Sequence, residues 1–167
     1  MGHIYLTGFM GAGKSTIAAR LSRKYGYREL DMDSTIEQEE RMKISEIFRT
    51  KGELHFRSLE SALLKRLSPD EDLVVSCGGG AVLDPENVKE MKKKGVIIWL
   101  DADPEAILER VSRNHNRPLL EGHKDLAYIE KMMEERRPRY ENAADHRVLS
   151  DSRPLDVICE EIRGYTR

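Results

Sequence analysis

The stretch GFMGAGKST, from Gly8 to Thr16, constrains this 167-residue chain more than any other, because it prescribes a strand, a turn and a helix in succession. It follows the apolar run HIYLT (3–7), which reads as a buried strand, and it opens KSTIAARLSRKYG (14–26), which reads as a helix ending at Gly26. From Gly8 to Ser15 it matches G-x-x-x-x-G-K-[ST]. Glycines there permit backbone angles closed to other residues, so that successive N–H groups turn inward around an anion, and the helix N-terminus adds partial positive charge. Gly11, Ala12, Gly13, Lys14, Ser15 and Thr16 are the candidate nucleotide-binding residues. Lys14 supplies a compact charge for the outer phosphates and the Ser15 hydroxyl can ligate Mg²⁺. The motif therefore implies a nucleoside triphosphate with magnesium, and leaves the phosphate acceptor open.

Short apolar runs alternate with helical patterns along the rest of the chain. YRELD (27–31), DLVVSC (72–77), GVIIWL (95–100) and HRVLS (146–150) read as strands. Residues 33–67 read as broken helix interrupted at Gly52, and helices are expected at 85–94, 104–112, 126–140 and 153–165. RNHNRPLLEGHKD (113–125) has no usable period and reads as a loop. Strands alternating with helices imply a parallel sheet covered on both faces, with ligands at the carboxyl ends of the strands. No linker or internal repeat interrupts this order, so residues 1–167 are expected to form one domain. No apolar run is long enough for a membrane helix, and MGHIYLTGF lacks the charged start and cleavage site of a signal peptide, so a cytoplasmic location and no membrane partner are expected. A formal charge of −2 argues against a nucleic-acid partner, and Cys77 and Cys159 fit neither a disulfide framework nor a zinc spacing. The five histidines have no metal spacing either.

The residues that narrow the acceptor sit after the strands. ELDMDS places Asp31 and Asp33 two apart, where an extended backbone would point both carboxylates to one side. One could support the magnesium and the other accept a proton from a hydroxyl, although capping of the following helix explains them equally simply. GELHFRSLES carries Arg57 and Glu60 three apart on a helix, a spacing that most often marks a surface ion pair. Phe48 and Phe56 nearby are core residues or the apolar wall of a pocket. Gly78, Gly79 and Gly80 are hard to justify by packing, which favours a ligand approaching bare backbone over a tight turn. Arg117 lies in the aperiodic loop, where an arginine on a closing lid could neutralise a moving phosphate. Arg136, Arg137 and Arg139 offer forked guanidinium groups suited to a carboxylate, and the sequence does not choose among them.

Taken together, GFMGAGKST, DMD, GELHFR with Glu60, CGGG, RPLL and ERRPRY stand in the order and at the spacing that resemble the shikimate kinase family, across essentially the whole chain. The resemblance implies a P-loop NTPase-type three-layer α/β sandwich with a five-stranded parallel sheet of order 2-3-1-4-5, a substrate-binding helical segment at about 33–61 and a mobile lid at about 112–124. It implies ATP-dependent phosphorylation of the 3-hydroxyl of shikimate by a monomer. Lys14 and Ser15 would then hold the phosphates and Mg²⁺ with Asp31 assisting, and Asp33 would bind hydroxyls as the candidate base. Arg57 and Arg136 would hold the carboxylate, Glu60 would orient Arg57, and Gly78, Gly79 and Gly80 would offer backbone. Arg117 would contact the transferring phosphate, and Arg110, Arg153 and Pro154 would lie around adenine. Two alternatives are a kinase for another sugar acid such as gluconate, using an arginine for its carboxylate, and a nucleotide-dependent switch without transfer activity.

Overall fold

The computed structural model describes residues 2–113 and 125–166. Within them, five strands, β1 (His3–Thr7), β2 (Arg28–Asp31), β3 (Leu73–Ser76), β4 (Gly95–Asp101) and β5 (His146–Leu149), form one sheet of order β2-β3-β1-β4-β5. All four pairings are parallel. The expected strand order is thereby met.

Two-sided burial explains why these strands read as apolar runs rather than alternations. Successive side chains point to opposite faces. Tyr5, Val75, Ile97 and Trp99 pack on one side against Met32, Ile36, Ile47, Leu63, Met91 and Tyr140. Those residues come from α2 (Met32–Glu40), α3 (Ile44–Lys51), α4 (Glu53–Arg66), α5 (Pro85–Lys94) and α7 (Leu126–Ala143). Ile4, Leu6, Val74, Ile98, Leu100 and Val148 face Ile17, Leu21, Ile158 and Ile162 of α1 (Lys14–Tyr25) and α8 (Leu155–Gly164). A third cluster of Phe9, Ala102, Ile107, Val111, Ile129 and Met133 joins the loop after β1 to α7 and to α6 (Pro104–Ser112). Three layers result, and the loops at the carboxyl ends of the strands share one edge. Among the described residues no helix is long and apolar enough to cross a membrane. Both cysteines are buried and unpaired.

Three local expectations need correction. β2 ends at Asp31 and α2 begins at Met32, so Asp33 is helical and the two-residue alternation of a strand does not relate it to Asp31. The helical stretch after Asp31 breaks at Gly52, as expected, but also at Arg41, whose left-handed φ of 55° ends α2. Helix α7 continues through Pro138 to Ala143, beyond the expected end at 140, because Tyr140 and Ala143 are buried by it. The expected lid lies outside the described residues from 114 onward, and Arg117 with it.

Candidate active site

A cleft of about 500 Å³ opens at the carboxyl edge of the sheet, with the loop after β1 on one side and α2, α3, α4 and the segment after β3 on the other. On the first side, Gly13 is the N-cap of α1, with φ 99°, a conformation that costs a residue with a side chain dearly. No side chain caps α1 and its first turn carries no acid, so its amides face the cleft as an anion site. Lys14 Nζ donates to the carbonyls of Gly8 (2.7 Å) and Phe9 (3.1 Å). Ser15 Oγ donates to Asp31 Oδ2 at 3.1 Å, which places one hydroxyl and one carboxylate together at the helix start. That donor pair suits Mg²⁺, a hard cation that keeps several waters and takes its other ligands from phosphates.

The other nucleotide candidates divide. Gly11, Thr16 and Arg110 line the cleft with Gly13, Lys14 and Ser15. Arg110 also donates to the Gly11 carbonyl at 2.8 Å and to that of Ser150 at 3.4 Å. Ala12 is 1 % exposed and turns into the core, its carbonyl accepting from Ser150 Oγ at 2.7 Å. Arg153 and Pro154 do not line the cleft: Arg153 donates to Leu149 O at 2.6 Å and pairs with Glu161 at 2.8 Å, and Pro154 caps α8.

The opposite side holds the acceptor candidates. Asp31 accepts from the Ser34 amide and so caps α2 while lining the cleft; the capping and cleft-facing explanations both apply to it. Asp33 reaches the same cleft from the first turn of α2. The Arg57–Glu60 pair is no surface pair, since Glu60 has no exposure and its Oε1 accepts from Arg57 Nη1 at 2.8 Å. Burial pushes the Glu60 carboxyl up to about 7, with Arg57 opposing the shift and Asp33 adding to it. Phe48 and Phe56 stand 5.1 Å apart, line the cleft and supply its apolar wall, with Arg57 over the Phe56 ring.

The glycines after β3 have two different reasons. A Cβ on Gly78 would stand 2.5 Å from Glu60 Oε2 and 3.2 Å from Asp33 Oδ1, and one on Gly80 would stand 2.6 Å from the Arg57 guanidinium nitrogens. At both positions bare backbone leaves room for a charged side chain of α4, a packing reason that the sequence did not suggest. At Gly79 the nearest atom would be Arg136 Nη1 at 3.5 Å, an ordinary contact, so packing does not account for this glycine, whose backbone lines the cleft.

Of the three arginines on α7, Arg136 lines the cleft. Arg137 lies over Trp99 and pairs with Glu134, Glu141 and Asp101, and Arg139 donates to Leu83 O at 2.6 Å. Among the described residues Glu60 Oε2 and Arg136 Nη1 are buried without a hydrogen-bond partner, an arrangement expected of groups that await a polar ligand. Met10, Ser34, Glu37, Ile44 and Arg113 also line the cleft and had no signal in the sequence. Glu37 Oε2 accepts from the Ile44 amide at 2.8 Å and thus holds the start of α3, a long-range cap that no local spacing announces.

A family model described as shikimate kinase matches residues 10–165. The shikimate kinase of Persephonella marina is 43% identical over 167 residues, covering 100% of both chains. The solved shikimate kinase of Acinetobacter baumannii in complex with shikimate superposes with a TM-score of 0.91 at 31% identity, covering 99% of this chain and 92% of that one. A gluconokinase from Sinorhizobium meliloti matches with a TM-score of only 0.57 at 19% identity, over 96% of this chain and 89% of that one, which is a likeness of fold alone. With the phosphate loop, the buried arginine–carboxylate pair and these matches all spanning the same residues, the chain belongs to the shikimate kinase family.

Proposed function

We propose that the chain transfers the γ-phosphoryl group of ATP to the 3-hydroxyl of shikimate, giving shikimate 3-phosphate, ADP and a proton, on the chorismate route to aromatic amino acids. The observation that carries this is one cleft lined both by the phosphate loop and by Asp33, Arg57 and Arg136. A switch or motor needs the first half and has no use for the second.

The residue roles follow from the charges. The amides of α1 and the Lys14 ammonium bind the phosphates; to do so Lys14 exchanges its bonds to the Gly8 and Phe9 carbonyls for phosphate oxygens. Ser15 and Asp31 hold Mg²⁺, which when bound neutralises charge on the phosphates. Arg57 and Arg136 bind the substrate carboxylate as charged forks, with Glu60 fixing Arg57. Asp33 orients the acceptor hydroxyl and takes its proton; in a loose phosphoryl-transfer transition state the orientation is the larger part of that contribution. Gly79 lets the substrate approach backbone, with Gly78 and Gly80 leaving room for Glu60 and Arg57. Arg110 stands on the nucleotide side, Thr16 adds a hydroxyl there, and Arg117 is the proposed lid arginine for the moving phosphate.

ADP release measured with ATP and Mg²⁺ should depend on shikimate and not on gluconate. Release with gluconate alone, or none with either acceptor, overturns the assignment. In the same assay Arg57→Ala should raise the shikimate KM about tenfold to a hundredfold, the usual cost of charged hydrogen bonds, while the ATP KM stays nearly unchanged.

A further inference from the structure

We propose that Tyr140 is a positioning residue of the acceptor side: its buried hydroxyl ties the Gly79 carbonyl to helix α7 and thereby sets where Gly79 and Arg136 meet the substrate. This rests on the shikimate kinase assignment above. Tyr140 lies four residues after Arg136, so the two share a helix face. Its O–H donates to Gly79 O at 2.6 Å, and burial pushes the hydroxyl's pKa up against the positive charge of Arg136, which favours the phenolate. One hydroxyl thus anchors backbone that borders the acceptor, on the helix face that also carries Arg136.

The ring is held firmly enough to deliver that hydroxyl to one place. It is 2 % exposed and stacks on Trp99, with 6.0 Å between centroids and 22° between planes. Arg137 and Arg147 in turn each lie over the Trp99 ring, 5.4 Å from its centroid, and Asp101 accepts from Arg147. A phenylalanine would fill the same space, so packing does not account for the oxygen.

Gly79 is where such a tether has most effect. The side chains of Glu60 and Arg57 stand close beside Gly78 and Gly80, whereas a Cβ at Gly79 would stand 3.5 Å from Arg136 Nη1 and 3.8 Å from the Gly8 carbonyl and the Met10 amide. The peptide therefore sits between the phosphate loop and Arg136. A glycine there has no side chain with which to anchor itself. The anchor comes from α7.

Tyr140→Phe keeps the ring and removes the hydroxyl. Its shikimate KM, and the shikimate Kd measured calorimetrically without nucleotide, should both rise about three- to tenfold, as for loss of one buried hydrogen bond, with the ATP KM within about twofold of the parent. Trp99→Phe thins the stack but leaves the hydroxyl, and should lower Tm while changing the shikimate KM less than Tyr140→Phe does. Equal KM changes in the two variants, or a lower Tm with an unchanged shikimate KM in Tyr140→Phe, would make the tyrosine a packing residue and overturn the proposal. Failure of the parent chain to release ADP with shikimate would instead remove the assignment on which it stands.

Discussion

At the scale of single residues, Glu60 shows burial prevailing over a paired charge. Arg57 favours the carboxylate, yet desolvation holds the group at about 7, above the ordinary 4.5. Between those values the folded protein binds a proton that the unfolded chain releases, so this group's contribution to stability is present below pH 4.5 and is lost as pH rises through 7. The loss is on the order of 3 kcal/mol. Glu60→Gln carries no such charge, so the Tm of the variant relative to the parent should improve from pH 5 to pH 8; a constant difference would refute the shift. The glycines offer a second test. Gly78→Ala pushes a methyl onto the fully buried Glu60 and should cost about 1–3 kcal/mol in denaturant unfolding. Gly79→Ala should leave stability nearly unchanged and raise the shikimate KM. The sequence identified these three glycines but not their separate reasons, because Glu60 and Arg57 approach them from a helix far away in the chain. Residue type and spacing did not choose among the arginines of ERRPRY, since that depends on how α7 docks; the family resemblance pointed to Arg136, which does line the cleft.

At the scale of elements, what could be read was local and what could not was set by contact between elements. The strand, phosphate loop and helix from residue 3 to 26 were legible because the glycines, the lysine and the final Gly26 act within one βα unit. The break at Gly52 was legible for the same reason: its φ of 87° and ψ of 164° suit glycine almost alone. The break at Arg41 was not, because an arginine occupies a left-handed position that glycine usually takes. That position is exposed, so Arg41→Gly should relieve the strain and raise stability by about 0.5–1 kcal/mol, read as a higher urea midpoint with an unchanged slope. A lower midpoint would mean that the arginine side chain has a role on α2. Asp33 carries a similar lesson: an early helix start brought it to the cleft by a different route from the strand alternation expected of DMD.

At the scale of the whole molecule, the fold class was legible because a buried parallel sheet leaves a strong apolar signature, the strand order came only with the family resemblance, and the cleft followed from the carboxyl ends of the strands. Ligands on both sides of that cleft should stabilise the folded chain by mass action. Shikimate at about a hundred times its Kd adds about 2.7 kcal/mol, and MgADP should raise Tm further when added with it. Gluconate at equal concentration should leave Tm where it was. The sheet order has one more consequence, for the sequence in which the molecule comes apart. β1, which carries the phosphate loop, is bonded on both sides at the centre, whereas β2, which ends at Asp31 and leads to Asp33, lies at an edge with one neighbour. Opening from that edge strips the carboxylates from the cleft first, so amide exchange should reach 28–31 well before 3–7, and a half-opened molecule retains its grip on a phosphate tail after it has lost the means to use it.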